Sequence, residues 1–467
     1  MENHFDAVVI GAGPAGEVAV GALVGAGLRV ALVERELIGG ECGYWGCIPS
    51  KTLLRPPEVR SEGERTAGVS TPSLDWPRVA AYRDWMIRNL DDSKTVARYE
   101  KQGITVVKGP GKLAGPGRVE ADGRVLETER VIVATGSDPI IPPIEGLEEA
   151  GYWTNREATT LHEIPPSAVV IGAGPVGLEL GQALARFGSK VTIVDIFDRA
   201  MPREDPQVGE AIREAFEDEG ITVLVGHKAV GVRLEGEERV VRFENGKEVR
   251  AAVVVVAGGR RPRTDRVGLE TVGIEPKPEG IPIDERCRAA EGVWAVGDVT
   301  GVALFTHVGK YQARIATADI LGQPAKADYR AVPRVVFSDP EIASVGLTEE
   351  QAREQGIAAV SATVDLVAAI ARPYTYEENP RGKLGIVADA DREVLVGAWA
   401  VAPLSSEWIH HAVLAIRAEI PLSVLRDTIP QFPTYSEGYL SALRRLPDLA
   451  SARREAKHAP SAVTAST

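Results

Sequence analysis

The sequence predicts an α/β protein in which one strand–turn–helix–strand unit occurs twice. In the first copy a buried strand over residues 5–10 leads into a glycine-rich turn and a helix of small residues. The strand at residues 169–171 leads into a turn of the same kind. The turns carry glycine at equivalent positions, which are Gly11, Gly13 and Gly16 in the first copy and Gly172, Gly174 and Gly177 in the second. Each copy then continues into a strand that ends in an acid, Glu34 or Asp195.

Each feature of such a turn has a physical role in binding a dinucleotide. The first glycine permits the tight turn, the second lets a pyrophosphate approach the backbone, and the third lets helix and strand pack closely. The N-terminus of the helix directs free N–H groups at the phosphates, and the acid can bind ribose hydroxyls. A single turn could arise by chance, but two complete copies predict two Rossmann-like dinucleotide-binding domains.

Composition excludes several classes of partner. The chain has 467 residues and a net charge of −13, which argues against nucleic acid or an anionic membrane as a partner. No apolar run is long enough to cross a bilayer, and the first residues open directly into the first unit, so we expect no signal peptide. Three cysteines do not make a disulfide scaffold, which predicts a cytoplasmic location.

Two cysteines, Cys42 and Cys47, follow the first unit in the segment GGECGYWGCIPSK, residues 39–51. On a regular helix their Cα atoms would be about 8–9 Å apart, whereas a disulfide needs roughly 4.4–6.8 Å. A bond therefore requires a distorted turn, which Gly43 and Gly46 would allow. No further ligands stand at zinc-site spacing, so we predict no metal site. Two unrelated buried thiols are the alternative interpretation.

The cysteine segment resembles the redox-disulfide signature of the pyridine nucleotide–disulfide oxidoreductases, the family of dihydrolipoyl dehydrogenase, glutathione reductase and mercuric reductase. The resemblance continues to about residue 450 through ATG at 134–136, GGRRPRTD at 258–265, GVWAVGDVTG at 292–301 and PEIASVGLTEEQA at 340–352. It implies a homodimer that binds FAD and NADH, with NADPH as an alternative. Electrons would pass from the nicotinamide through FAD and the cysteine pair to a small-molecule acceptor.

The resemblance also implies roles for individual residues. Cys47 would lie nearest the flavin, and Cys42 would be the interchange thiol that faces the acceptor. Lys51 would lie beside the flavin and pair with Glu179, although a plain structural ion pair is the alternative. The remaining cofactor contacts implied are Asp298 on the ribityl chain, the helix from Thr306 at the flavin ring, and Gly111, Thr135 and Gly259.

The same resemblance implies an order of domains along the chain. Residues 1–150 and 275–335 would form an FAD-binding domain that is interrupted by an NAD(P)-binding domain at 151–274. Residues 336–449 would form an α+β C-terminal dimerisation domain. Residues 450–467 lack apolar periodicity and are predicted to be a disordered tail.

The C-terminal segment departs from the family pattern. Disulfide-reducing members end in His-Pro-Thr-x-x-Glu, whose histidine moves protons to and from the dithiol. Residues 432–437 read FPTYSE instead, so Glu437 matches but Phe432 cannot carry a proton. Among the histidines, only His307 is kept as a candidate substitute, while His410 and His411 are interpreted as structural.

These departures leave the acceptor open. Mercuric reductases also lack the histidine, but they need an extra C-terminal cysteine pair, and no cysteine follows Cys287. Tyr44 and Trp45 either pack beside the flavin or form a wall for a flat acceptor such as a quinone. We therefore favour a reductase of a quinone or a specialised disulfide. A dihydrolipoyl dehydrogenase with a substituted base and a slow redox sensor are the alternatives.

Overall fold

The computed structural model describes residues 3–449. Within residues 3–150 the strands are β1 (Ala7–Ile10), β2 (Val30–Glu34), β3 (Thr105–Lys108), β4 (Gly111–Leu113), β5 (Arg118–Ala121), β6 (Arg124–Glu127), β7 (Val131–Val133) and β8 (Ser137–Pro139). The helices of this part are α1 (Pro14–Gly25), α2 (Gly40–Tyr44), α3 (Cys47–Arg65), α4 (Trp76–Met86), α5 (Ser93–Lys101) and α6 (Leu147–Ala150). The predicted tail, residues 450–467, lies outside the described residues.

The next part of the chain contains the second glycine turn. Its strands are β9 (Ser167–Ile171), β10 (Lys190–Val194), β11 (Thr222–Leu224), β12 (Ala229–Glu235), β13 (Glu238–Phe243), β14 (Glu248–Ala251), β15 (Val253–Val256) and β16 (Arg260–Pro262). Its helices are α7 (Asn155–Thr159), α8 (Pro175–Arg186) and α9 (Pro206–Asp218). The chain continues through β17 (Arg288–Ala290), β18 (Val293–Ala295) and α10 (Thr306–Ile320).

The C-terminal part consists of an antiparallel sheet and short helices. Its strands are β19 (Pro333–Val336), β20 (Ile342–Gly346), β21 (Ala359–Asp365), β22 (Lys383–Asp389) and β23 (Val394–Val401). Its helices are α11 (Glu349–Glu354), α12 (Leu366–Ala369), α13 (Arg372–Tyr376), α14 (Ser405–Trp408), α15 (His410–Arg417), α16 (Leu422–Asp427) and α17 (Glu437–Arg445). Short 3-10 helices lie at Arg88–Leu90, Leu269–Val272 and Asp298–Thr300.

The two glycine turns lie in two sheets that are parallel apart from the edge strand β17 of the first, which is antiparallel to β18. The first has the strand order β17-β18-β7-β1-β2-β3, in which β1 runs parallel to β2 and β7. The second has the order β11-β10-β9-β15. Strands β1, β2 and β7 are buried along their whole length, as parallel strands are when helices cover both faces of a sheet. The α/β fold class predicted from the repeated unit is confirmed.

The chain returns to the first sheet after it has built the second. β18 pairs in parallel with β7, so residues 293–295 belong to the same sheet as β1, β2, β3 and β7. α6 contributes Leu147 and Ala150 to the core of the second sheet, although the predicted boundary assigns it to the first domain. β19 already pairs with β20 of the C-terminal sheet, so that sheet begins before the predicted boundary at residue 336.

The third glycine of each turn packs against the backbone of the first. A Cβ atom on Gly16 would lie 2.0 Å from the carbonyl oxygen of Gly11, and one on Gly177 would lie 1.9 Å from that of Gly172. A side chain at either position would force helix and strand apart. The close packing expected at both turns is therefore present. Within residues 3–449 no helix is long and apolar enough to cross a membrane.

Candidate active site

A break between two helices brings the thiols of Cys42 and Cys47 together. α2 ends at Tyr44 and α3 begins at Cys47. Between them Trp45 has a φ of −136° and Gly46 has a φ of −117° with a ψ of −110°, so neither continues a helix. The structure has no disulfide between the two cysteines, and each thiol shifts the pKa of the other. The distorted turn predicted from the spacing is present.

The pKa values of the two thiols are shifted in opposite directions. The hydrogen bond from Cys42 lowers the pKa of Cys47 to about 6, with the Thr306 hydroxyl and the Lys51 charge acting in the same direction against burial. The Thr306 Oγ1 atom lies 3.4 Å from the Cys47 Sγ atom. The same pairing, together with burial, raises the pKa of Cys42. In the reduced pair the thiolate is therefore favoured at Cys47 and the thiol at Cys42.

Lys51 and Glu179 form the ion pair that the resemblance implied. The Nζ atom of Lys51 lies 2.6 Å from Oε2 of Glu179. The other carboxylate oxygen accepts the backbone N–H of Phe337 at 3.0 Å, and the Lys51 ammonium lies 4.9 Å from the centre of the Phe337 ring. Glu179 is buried, so its charge is compensated only by these contacts. The helix that follows the second glycine turn thus supports the cysteine helix.

A cavity of about 1080 Å³ opens beside the cysteine pair. This exceeds the roughly 300–1,000 Å³ of ordinary ligand pockets, so the cavity suits a long cofactor. Its walls include many of the predicted site residues, namely Gly11, Gly13, Glu34, Cys42, Cys47, Lys51, Gly111, Thr135, Glu179, Asp298 and Thr306.

The cavity wall has the features that FAD needs. A Cβ atom on Gly13 would meet nothing within 4 Å, so the backbone before α1 is open to a pyrophosphate. Gly40 lies against it with a φ of +57°, and a Cβ there would fall 2.7 Å from the Gly13 Cα atom. Asp298 accepts a hydrogen bond from Ser137 Oγ at 2.6 Å, and burial raises its pKa. The residues present fit FAD.

The acids at the ends of the two strands make matching contacts. Glu34 accepts the backbone N–H of Ala12 at 2.6 Å and that of Glu36 at 2.7 Å, while burial raises its pKa. Asp195 accepts the backbone N–H of Ala173 at 2.6 Å and that of Phe197 at 3.0 Å. A carboxylate has about four acceptor sites, so each acid keeps capacity for ribose hydroxyls.

Other predicted residues lie away from this cavity. Gly16 is packed inside the first unit, and Gly172, Gly174, Gly177, Asp195 and Gly259 lie at the second glycine turn and the strand ends near it. A Cβ atom on Gly174 would also meet nothing within 4 Å, which leaves the start of α8 open to a second dinucleotide.

Glu437 is likewise not among the residues that line the cavity of its own chain. It begins α17, where its carboxylate accepts the backbone N–H of Thr434 at 3.0 Å. Phe432 is 75% exposed. Its side chain projects into solvent, and no contact within the described chain holds it at the cysteines.

The two aromatic residues between the cysteines have different environments. Tyr44 is fully buried, and its hydroxyl donates to the Ile38 carbonyl at 3.2 Å and accepts from Arg88 at 3.0 Å. Trp45 lines the cavity, and the guanidinium of Arg156 lies 4.1 Å from its ring centre. Tyr44 is therefore part of the packed core, and of the two only Trp45 faces the cavity.

His307 lines the cavity, but its ring is already engaged. Its Nε2 atom lies 2.9 Å from the Pro333 carbonyl oxygen, and the ring stacks on Phe305. Burial lowers its pKa. His410, which was interpreted as structural, also lines the cavity, whereas His411 contacts the ring of Tyr439.

Sequence reasoning missed the polar residues that hold the cysteine loop. Glu41, Asn155, Arg156 and Arg260 connect that loop to α7 and β16. One signal was available, since Glu41 places a negative charge directly before Cys42 in the glycine-rich segment. A partly buried carboxylate is expected to have a cation beside it, and here that cation is Arg156.

Two family profiles together match most of the chain. Residues 5–319 match the profile described as pyridine nucleotide-disulphide oxidoreductase, and residues 332–443 match the dimerisation domain of the same family. Enzymes of this family use FAD and NAD(P)H and have a redox-active disulfide. The dimerisation domain supports a homodimer.

Individual proteins resemble the chain over nearly its full length. A dihydrolipoyl dehydrogenase of Thermus scotoductus is 34% identical over 95% of this chain and 97% of its own. A mercuric reductase of Acidithiobacillus ferrooxidans is 36% identical over 94% of this chain and 81% of its own. The HOCl-induced flavoprotein disulfide reductase RclA of Escherichia coli, solved as a Cu(II) complex, superimposes with a TM-score of 0.83 at 29% identity, over 94% of this chain and 99% of that one. This chain therefore belongs to the pyridine nucleotide-disulphide oxidoreductase family.

Proposed function

We propose that this enzyme passes electrons from NADH through FAD and the Cys42–Cys47 pair to a small acceptor that needs no separate proton base, with quinones as the favoured class. The observation that carries the proposal is the residue at position 432, an exposed phenylalanine where the family resemblance implies a histidine. The raised pKa of Cys42 and the lowered pKa of Cys47 agree with it.

The chain's own residues account for the first half of the reaction. FAD, when bound, supplies two-electron transfer between the nicotinamide and the disulfide. Breaking the Cys42–Cys47 bond takes two electrons and one proton, which stays on Cys42 and leaves Cys47 as the thiolate. The Lys51 ammonium would stabilise negative charge in the cavity, and its ion pair with Glu179 fixes its position there.

With a quinone as acceptor, the second half of the reaction balances without an acid or base other than the cysteine pair and water. It takes two electrons from the pair and two protons, one from Cys42 and one from water, as the disulfide forms again. A disulfide substrate instead requires Cys42 to attack as a thiolate. Because the pKa of Cys42 is raised, that attack is slow unless a base removes the proton.

The alternatives keep specific support. The similarity to dihydrolipoyl dehydrogenase and the retained Glu437 favour a lipoamide reductase whose proton travels by another route. The Cu(II) complex of RclA raises metal reduction as a candidate. Residues 3–449 contain no group of three or more His, Cys, Asp or Glu side chains that could hold a metal ion, so a metal acceptor would have to react at the cysteine pair itself.

An acceptor screen tests the proposal. Purified holoenzyme is assayed with NADH and a panel of quinones, lipoamide and Cu(II), with Cys42→Ser alongside. We expect quinone turnover in the wild type and its loss in Cys42→Ser. Lipoamide turnover at roughly 10 per second or more would instead support the dihydrolipoyl dehydrogenase reading. Slow turnover with every acceptor would support the redox sensor.

A further inference from the structure

The short helix that carries Cys42 is held at both ends by one neighbouring helix. At its first turn the Glu41 carboxylate accepts from Asn155 Nδ2 at 2.9 Å and from Arg156 Nη2 at 2.7 Å. At its last turn the Trp45 carbonyl accepts from the same Asn155 Nδ2 at 2.8 Å and from Thr159 Oγ1 at 3.2 Å. Asn155, Arg156 and Thr159 all belong to α7. Side chains of α7 therefore bind the chain on both sides of Cys42, at Glu41 and at Trp45.

Arg156 adds a contact to the Trp45 side chain. Its guanidinium lies 4.1 Å from the ring centre, which is within the range of a cation–π interaction. It also pairs with Glu36 at 2.9 Å. The planar guanidinium therefore contacts an aromatic face and two carboxylates together, a combination that lysine cannot reproduce.

Further hydrogen bonds connect Asn155 to the residues predicted to contact the flavin. The side-chain oxygen Oδ1 of Asn155 accepts a hydrogen bond from Arg260 Nη1 at 3.2 Å, and Arg260 Nε donates to Ser137 Oγ at 2.8 Å. Ser137 Oγ in turn donates to Asp298 at 2.6 Å. Asn155 is buried, so its hydrogen bonds are not shared with bulk water. One chain of polar contacts thus joins the cysteine loop to the wall of the cofactor cavity.

The cysteine pair needs such support for a geometric reason. α2 has only five residues, which is too short to be stable by itself. Gly43 and Gly46 flank the two aromatic residues and loosen the chain further. The thiols meet only because the helix breaks at Trp45 and Gly46, and the carbonyl groups at such a break have no partner within the helix. Asn155 and Thr159 supply the partner for Trp45.

We propose that Asn155 and Arg156 are positioning residues that hold the Cys42 helix against the start of α3. They keep the two sulfur atoms in the arrangement that reduction of the disulfide requires. The step they support breaks the S–S bond with two electrons from NADH by way of the flavin, places one proton on Cys42 and leaves the Cys47 thiolate. The inference rests on the redox role proposed above for this pair.

Anaerobic stopped-flow reduction of the holoenzyme by NADH tests the proposal. The first phase is loss of flavin absorbance, and the second is the long-wavelength charge-transfer band of the Cys47 thiolate. In Asn155→Ala and Arg156→Met we expect the first phase to keep its rate and the second to slow about tenfold or more, since misplacement of about 1 Å can cost about 10²-fold. Arg156→Lys should recover part of the rate because it keeps the charge beside Glu41.

Arg233→Met is the matched control. Arg233 also forms a two-point ion pair, with Glu248 at 2.6 and 2.9 Å, but it lies on the exposed β12–β14 sheet. Both of its phases should match the wild type. Wild-type rates of the second phase in Asn155→Ala and Arg156→Met, even with a lowered melting temperature, would overturn the inference.

Two further outcomes are distinguishable. A wild-type protein that shows no charge-transfer phase at all would overturn the proposed function rather than the role of α7. If Arg156→Met loses flavin, Asn155→Ala decides the matter by itself, because it removes no charge.

Discussion

The cysteine pair and the segment at residues 432–437 are two parts of one predicted catalytic centre, and they differ in how completely this chain builds them. Around the cysteines, Lys51, Glu179 and Thr306 all occupy contact positions. At the other segment, Phe432 is 75% exposed and Glu437 contacts only its own loop. The contacts predicted for the cysteine pair are thus present within one chain, whereas residues 432–437 keep the glutamate of the family pattern and carry phenylalanine in place of its histidine.

We propose that the dithiol centre of this chain transfers electrons without an acid–base partner at position 432. Under the proposed function, an acceptor that takes protons from the pair or from water would need no further acid or base. An acceptor that needs a Cys42 thiolate would react slowly, since the pKa of Cys42 is raised. Each of the following predictions tests this difference between the cysteine pair and residues 432–437.

The largest effect is expected from Phe432→His. An imidazole beside Glu437 would restore the acid–base pair of the family, so turnover of lipoamide should rise by up to roughly 10²–10⁴-fold. Quinone turnover should change little, since the cysteines and Lys51 are untouched. Steady-state kinetics with both acceptors measure this, and Phe432→Leu is the control for loss of the ring. An unchanged lipoamide rate would mean that the missing base is not what limits disulfide chemistry.

A smaller effect is expected from Glu179→Gln. It leaves the Lys51 ammonium without its carboxylate, and breaking such a buried pair costs about 3–5 kcal/mol, reduced here to about 1–3 kcal/mol because Lys51 is partly exposed to solvent. We expect about a tenfold loss of kcat for every acceptor together with a lower melting temperature. Glu235→Gln, in an exposed ion pair with Arg250, should alter neither. Loss of stability with full activity would make the pair structural only.

Cofactor choice should show a smaller preference. The Asp195 carboxylate would repel the 2′-phosphate of NADPH by about 1 kcal/mol at 4 Å in water, which predicts a kcat/KM for NADH at least about fivefold above that for NADPH. Arg199 lies four positions further along and could soften the repulsion. Asp195→Asn should narrow the ratio. A wild-type preference for NADPH would show that Asp195 does not select the cofactor.

The smallest effect is expected from Thr306→Val. Its hydroxyl helps to lower the pKa of Cys47 to about 6, so losing that contact should raise the pKa by about half a unit. Cys47 is a thiolate above its pKa, so the charge-transfer band of the reduced enzyme should persist above about pH 6 in the wild type and disappear as the pH falls through that value. A pH titration of the band measures the shift. Thr306→Ser, which keeps a hydroxyl, should titrate like the wild type.

Particular residues show how far sequence reasoning reached. The spacing of Cys42 and Cys47 demanded a distorted turn, and the structure contains one. The Lys51–Glu179 pair spans 128 positions of sequence, a distance at which only the family resemblance, not local pattern, could connect the two. Spacing did not separate Tyr44 from Trp45, because a break in the helix decides which of two adjacent rings is buried. The roles of the site residues and the domain boundaries stay predictions.

The sequence by itself determined the repeated strand–turn–helix unit, the position of the cysteine pair and the absence of a histidine at position 432. These are local patterns, in which glycine spacing and apolar runs follow directly from backbone geometry and burial. Only the tertiary structure decided that α7 holds both ends of the Cys42 helix, that Thr306 touches Cys47 and that Glu437 does not line the cavity of its own chain. Such contacts join residues far apart in the chain, and their partners are chosen by how the sheets and helices pack rather than by neighbouring residues.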